Sequence, residues 1–255
     1  MTQNSTPKYS RRAMLTTGGV AAGAAFLAAC SSTNTTVTRL GSAPTTAMLE
    51  DAAVTDVVLL RTAMSVETMI ADMYTANTVT SLADSTMAPI VSAYAVAHKA
   101  NLGGLASAIT ARGGAAYNGT NEKLMLAYGQ AALDLIAAGK DKTDVHAIAL
   151  ALETLAASTY QYFVSLTNEK ALRAEMMRLG ATSSRRAAVV AQQINSGTQG
   201  FAPGLDKDGV ATVATLPSAF GALSSIQVTL GPVNPESGTR AVVLMDTPSL
   251  NSLVY

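Results

Sequence analysis

The chain has 255 residues, equal numbers of acidic and basic side chains, and a hydrophobic content of 49% with only 5% aromatic residues. This length is enough for one sizeable domain with appendages. Much of the apolar content is alanine, which favours closely packed helices over a β-rich core. The sequence has no basic stripe with interleaved aromatic residues, so nucleic acid is not an expected partner. Its single cysteine excludes an intramolecular disulfide framework and a cysteine metal cluster.

Residues 1–29 are predicted to be a targeting segment. The letters SRRAML resemble the twin-arginine export motif through Arg11 and Arg12. An apolar run follows that is too short to favour a membrane span. It ends in LAAC, which resembles the lipobox of bacterial lipoproteins and implies cleavage before Cys30 and lipid attachment to its sulfur. The alternative is a plain signal peptide with an incidental cysteine.

The lipid would anchor the protein to the outer face of the cytoplasmic membrane, in the periplasm or cell envelope. The sequence is also compatible with sorting of the protein to the outer membrane. Residues 30–46 are rich in Ser and Thr, include Gly41 and Pro44, and are predicted to form a flexible tether. Twin-arginine export carries folded proteins, often with a cofactor already bound, so a cofactor is compatible with this leader.

Four long helices are predicted after the tether, because apolar residues recur at helical spacing. They span about residues 48–81, 85–112, 143–166 and 168–194. The expected caps of the last three helices are Asp84 or Ser85, Thr143 or Asp144, and Asn168. The connection between the second and third helices is long and carries a shorter helical pattern. Two adjacent glycines inside the second helix, at 103 and 104, predict a close helix–helix contact.

The composition changes in residues 197–255, where prolines and glycines are frequent. Only two short β-like runs stand out, Ile226–Leu230 and Arg240–Leu244. The apolar content is too high for a solvated linker. We therefore predict a mostly irregular tail that packs on a helical domain spanning 47–196.

One motif occurs twice, first as SVETMIADMYTA and again as ALETLAASTYQY. Each copy has a glutamate and, seven residues later, a tyrosine: Glu67 with Tyr74, and Glu153 with Tyr160. Seven residues make two helical turns, so each pair shares one otherwise apolar face. A carboxylate on such a face is costly unless it is compensated. The two glutamates are therefore predicted to meet in one buried site.

Four long helices with a long crossover between the second and third resemble the ferritin-like four-helix bundle. The stretch His98–Asn121, with its Gly-Gly turn, also resembles the ferritin-like subfamily that includes bacterial desiccation-related proteins. In ferritin-like proteins the second and fourth helices each carry Glu-x-x-His. The resemblance places the six metal-ligand positions on Glu67, Ala95, His98, Glu153, Ser183 and Arg186.

Only Glu67, His98 and Glu153 can ligate a metal well, so a two-ion centre is not expected. Two outcomes stay open. In the first, which we favour, no cofactor binds and Arg186 replaces the metal as the counter-charge of both glutamates. In the second, those three ligands hold one iron or manganese ion. The first is favoured because an ion and a guanidinium in one small cavity repel each other.

Several other residues are candidates for this site. Arg185 could point inward instead of Arg186, because helix register read from sequence is uncertain by a residue. Asp72 and Glu175 could replace missing ligands if the register differs, although Asp72 is expected outside. His146 could be an auxiliary ligand, but a surface or capping role is preferred.

The sequence thus predicts an exported, lipid-anchored ferritin-like protein with a non-enzymatic structural, binding or stress-protective role in the cell envelope. The alternative is a mononuclear metal protein with oxidoreductase or metal-handling activity. Tyr74 and Tyr160 are expected to be core residues with tethered hydroxyls rather than redox tyrosines. A homodimer is compatible with the paired apolar faces, and the envelope partner is not identifiable. A solute-binding transport lipoprotein is disfavoured, because no two-lobed α/β pattern is present.

Overall fold

The computed structural model describes residues 54–202, 204–212, 214–216, 225–246 and 252–255. The predicted leader with Arg11 and Arg12, the lipidation site Cys30 and the tether lie outside these ranges. The described part is mostly helical, with a small antiparallel sheet of two strands in the C-terminal region. Within these ranges, no helix is both long enough and apolar enough to cross a membrane.

Two pairs of long helices form the main body. The elements are α1 (Asp56–Thr75), α2 (Asn77–Leu82), α3 (Met87–Thr110), α4 (Glu122–Leu124), a π-helical turn (Met125–Gly129), α5 (Gln130–Gly139), α6 (Thr143–Leu166), α7 (Lys170–Ile194), a 3-10 turn (Thr198–Gly200), β1 (Ser225–Leu230) and β2 (Ala241–Asp246). Helix α1 packs on α3 and α6 packs on α7, while contacts between α1 and α6 join the two pairs.

The helix ends follow the predicted capping chemistry in part. The Asp84 carboxylate accepts a hydrogen bond from the backbone N–H of Met87 at 2.8 Å, which confirms the predicted cap of α3. At the start of α6, Asp141 is the residue that accepts the N–H of Thr143, at 2.9 Å. The predicted cap Asp144 bonds the tail instead. The first predicted helix is interrupted at Ala76, and the last begins after Glu169 rather than Asn168.

Helix α6 is buried around most of its circumference, because α1, α7 and β1 all pack against it. Val228 and Val243, which are partners in the sheet, are both buried in the same hydrophobic cluster. At the start of α6, the buried Asp144 accepts the N–H of Gly231 at 3.0 Å and also pairs with Arg240. The C-terminal sheet is therefore part of the packed core rather than a separate appendage.

The predicted close contact at Gly103 and Gly104 is wrong. Both glycines lie on the exposed face of α3, and among the described residues no atom lies within 4 Å of where a Cβ would stand. The close approach of two helices occurs instead at Gly180 of α7. A Cβ there would lie 3.1 Å from the Cβ of Tyr160 and 3.5 Å from the carbonyl oxygen of Ala157, both on α6.

Substituting the exposed glycines should stabilise the fold. We expect Gly103→Ala and Gly104→Ala each to raise the free energy of unfolding by about 0.5–1 kcal/mol, because alanine costs less backbone entropy in a helix. The measurement is urea unfolding followed by circular dichroism, on the full-length chain carrying Cys30→Ala to prevent lipidation. Gly180→Ala is the control and should give no such gain. A loss of stability in the α3 variants would show that this face is covered in solution.

Candidate functional site

The two repeated helices bring Glu67 of α1 and Glu153 of α6 together with His98 of α3. All three side chains are at most 1% exposed. The Nδ1 atom of His98 lies 2.5 Å from Oε2 of Glu67, and its Nε2 atom lies 2.9 Å from Oε1 of Glu153. The imidazole therefore bridges the two carboxylates and uses both ring nitrogens to do so.

The two repeat tyrosines cross over between the helices. Tyr74, on the helix of Glu67, donates a hydrogen bond to Oε1 of Glu153 at 3.0 Å. Tyr160, on the helix of Glu153, donates to Oε1 of Glu67. Burial, followed by the charge of the bonded glutamate, raises the pKa of each tyrosine well above its usual value. Both phenols are thus neutral donors at ordinary pH, consistent with core residues whose hydroxyls are tethered.

The charges of this cluster follow from its contacts. Burial alone would lower the pKa of His98, but the charges of Glu67 and Glu153 and their hydrogen bonds raise it to about 9. The imidazole is therefore protonated at neutral pH, and both its nitrogens donate. Burial alone would raise the pKa of Glu67. The charge of His98 and hydrogen bonds from His98, Tyr160 and Asn101 outweigh burial and lower it.

Arg186 enters the cluster from α7. Its Nη1 atom lies 3.8 Å from Oε2 of Glu153, and its side chain is 15% exposed. The guanidinium also lies over the ring of Tyr94, 5.6 Å from the ring centroid, and the hydroxyl of Tyr94 donates to the carbonyl oxygen of Arg186 at 3.2 Å. Glu153 thus faces two cations, with Oε1 toward His98 and Oε2 toward Arg186, and Nη1 of Arg186 also lies 3.5 Å from Nε2 of His98. The two carboxylates, the imidazolium and the guanidinium balance to zero charge.

The expectation that Arg186 would grip both glutamates is wrong for Glu67. That carboxylate is bonded instead by His98, Tyr160 and Asn101. The reason is the packing of the helices: α7 lies chiefly against α6, so the guanidinium approaches from the side of Glu153.

None of the other candidate residues joins the cluster in the described structure. Arg185 is exposed and donates to Oγ1 of Thr182 at 3.1 Å, so Arg186 is the inward residue. Asp72 is exposed, as expected. Glu175 forms an i,i+3 ion pair at the surface. His146 is near the start of α6, within 3.8 Å of a carboxylate oxygen of Asp84.

In this structure the donor atoms of the cluster are bonded mainly to one another. A histidine ligand is neutral and directs one ring nitrogen at the ion, whereas both nitrogens of His98 are bonded to carboxylates. Ala95 and Ser183, the residues at the two other carboxylate positions that the ferritin-like resemblance implies, provide no carboxylate. Across the described ranges, no group of three or more His, Cys, Asp or Glu residues is arranged to hold an ion.

Two residues of the site were missed from the sequence. Asn101 lies one turn after His98 on α3, and its amide donates to Oε2 of Glu67 at 3.1 Å. Tyr94 lies one turn before His98, and its ring contacts Arg186 and packs against the ring of Tyr74 in a T-shaped arrangement. Their spacing of three and four residues from His98 was the available signal, because such residues share a helix face.

Comparisons with protein-family models, with curated proteins and with solved structures found no match. Any functional assignment must therefore rest on the geometry of the charged cluster and on the sequence patterns around it. The ferritin-like resemblance stays a prediction.

Proposed function

We propose that this chain is an exported, lipid-anchored ferritin-like protein in which an ion-pair cluster stands where the family has a di-metal centre. One observation carries the proposal: His98 bonds Glu67 with one ring nitrogen and Glu153 with the other. A proton on the imidazole and the guanidinium of Arg186 then supply the positive charge that metal ions supply in the family.

The order and pairing of the helices support the ferritin-like assignment. The four long helices α1, α3, α6 and α7 pack in two consecutive pairs, and a long crossover containing α4 and α5 separates the pairs. The repeated glutamates lie on the first and third of the long helices and meet in the core, as a duplicated hairpin with a central site would place them.

The chemistry of the cluster supports a non-enzymatic role. Most of its polar atoms are bonded within the protein, and the glutamates and histidine are sealed from solvent. A buried ionic network of this kind fixes the relative placement of helices more than it adds stability. We therefore propose a structural, binding or stress-protective role in the cell envelope. The twin-arginine motif with Arg11 and Arg12 directs export, and the lipid on Cys30 then anchors the domain at a membrane surface.

One observation favours the second candidate, a mononuclear iron or manganese protein using Glu67, His98 and Glu153. The buried Oε2 atom of Glu153 has no hydrogen-bond partner in the described structure. Against it, His98 would have to give up a proton that two carboxylates hold, and Arg186 would remain beside the ion.

Metal analysis by mass spectrometry tests this choice. The full chain is exported by its own pathway, purified in detergent and compared with a Glu67→Ala/Glu153→Ala variant. We expect no stoichiometric iron, manganese or zinc in either protein, and lower thermal stability in the variant, because the variant leaves Arg186 without its carboxylate and removes the hydrogen-bond acceptors of His98, Tyr74 and Tyr160. About one ion per chain that disappears in the variant would contradict the proposal and establish the metal protein.

A further inference from the structure

A second feature of the molecule lies beside the charged cluster. A cleft of about 320 Å³ is formed by the end of α1, by α2 and by α3. Tyr74 and Ala95 line it, and both also border the cluster: Tyr74 bonds Glu153, and Ala95 lies one turn before His98. A glutamate at position 95, where the ferritin-like pattern has one, would add a carboxylate and fill part of this space. Alanine leaves this part of the cleft open and apolar.

The cleft is elongated along α3. Residues on four successive turns of that helix line it, from Ala88 through Val91 and Ala95 to Lys99. At 1.5 Å per residue these positions extend over about 16 Å. Val96 is 65% exposed at its edge, an unusual position for a valine on a helix that packs into a core. A cleft of this length, with Val91, Ala95 and Val96 along α3, matches a linear chain better than a compact ring.

One end of the cleft is positively charged. Lys99 is the only charged side chain in the lining, which contains no acidic group. Within the described part of the chain, Lys99 forms no ion pair, and it is exposed. The hydroxyl of Ser92, also in the lining, offers a further polar contact. The positive charge of Lys99 therefore favours a ligand that has an anionic group at one end of an apolar chain.

We propose that this cleft binds an unbranched, medium-chain monocarboxylate. The alkyl chain lies along Val91, Ala95 and Val96, where it removes apolar surface from water. The carboxylate lies at Lys99. This binding site is separate from the charged cluster and does not depend on whether the cluster holds a metal.

The test is isothermal titration of octanoate, together with amide chemical shifts, on the full-length chain carrying Cys30→Ala. We expect saturable one-site binding and shifts concentrated in residues 74–99. Octanol should bind more weakly than octanoate. Lys99→Met should weaken octanoate binding about threefold, as expected for one partly exposed ion pair. Ser92→Phe should abolish binding by filling the cleft from its exposed side, and Lys170→Met, which removes a lysine far from the cleft, should change nothing.

Three results would overturn the proposal: no saturable binding of octanoate, unchanged binding in a Ser92→Phe variant with native thermal stability, or equal binding of octanol and octanoate that Lys99→Met does not alter. Metal content is a separate measurement, so failure here and failure of the proposed function are distinguishable.

Discussion

His98→Ala is expected to reduce the free energy of unfolding by about 3–5 kcal/mol, the range for removing one partner of a buried ion pair. The substitution leaves Glu67 and Glu153 buried without the cation that bridges them, and Arg186 approaches only one of them. Urea unfolding at pH 7, followed by circular dichroism, measures the loss. His146→Ala is the matched control, because His146 is near the end of a helix and pairs only weakly with Asp84. It should cost less than about 1 kcal/mol.

The variant should also gain a dependence of stability on mildly acidic pH that these groups do not give the native protein. Without His98, burial and mutual repulsion favour binding of a proton by the two carboxylates. The His98→Ala variant should therefore become more stable as the pH falls from 7 to 5. If His98→Ala does not fold, His98→Gln retains a hydrogen-bond donor and provides the same comparison. A loss below about 1 kcal/mol for His98→Ala would show that the bridge seen here does not stabilise the protein.

Alkaline pH should destabilise the native protein by about 3 kcal/mol, since each pKa unit corresponds to about 1.4 kcal/mol. The pKa of His98 is raised from 6.5 in the unfolded chain to about 9 in the folded one by the two glutamates. The folded state therefore binds the proton more tightly. Its contribution to stability is complete below pH 6.5 and is lost as the pH rises through 9. Unfolding free energies at intervals from pH 6 to 9.5 measure this loss.

His98→Gln is the control for that profile and should be flat where the native protein falls. The Cys30→Ala background removes the only thiol that would titrate in this range. At the acid end, the lowered pKa of Glu67 has the opposite consequence: its contribution is present above 4.5 and is lost as the pH falls through the folded value. Equal alkaline slopes in native protein and variant would contradict a protonated bridge.

The buried site of the repeated glutamates could be predicted from the sequence, because a carboxylate on an apolar helix face is costly unless a partner in the core compensates it. The spacing of Glu67 and Tyr74 identified the buried face of α1, and that of Glu153 and Tyr160 the buried face of α6. Periodicity does not say which neighbouring helix a side chain meets. For that reason the exchange of tyrosines between the repeats was not predicted, and the contacts of Arg186 were predicted only in part.

Other differences between the predictions and the structure arise for the same reason: a sequence pattern reports on local structure and not on long-range contacts. The paired glycines of α3 suggested a helix contact, yet the structure has its close approach at Gly180. The two β-like runs were placed within two residues of the observed strands, but their antiparallel pairing depends on the long-range contacts of the C-terminal sheet. The residues next to Asp144 in the sequence indicate a helix cap. Its bonds to Gly231 and Arg240 come from the folded C-terminal region, which the local sequence does not reveal.

The crossed tyrosines also bear on how such a cluster can arise. Each hairpin supplies the hydroxyl that the glutamate of the other hairpin accepts, so a lone hairpin would have to associate with a copy of itself. Such a symmetric dimer repeats every residue across its axis, and position 98 and its counterpart 186 would be identical. Two histidines or two arginines would face the glutamates. A single chain that contains both hairpins is free of that constraint, and the unequal cations His98 and Arg186 are an arrangement that a symmetric dimer of identical hairpins cannot form.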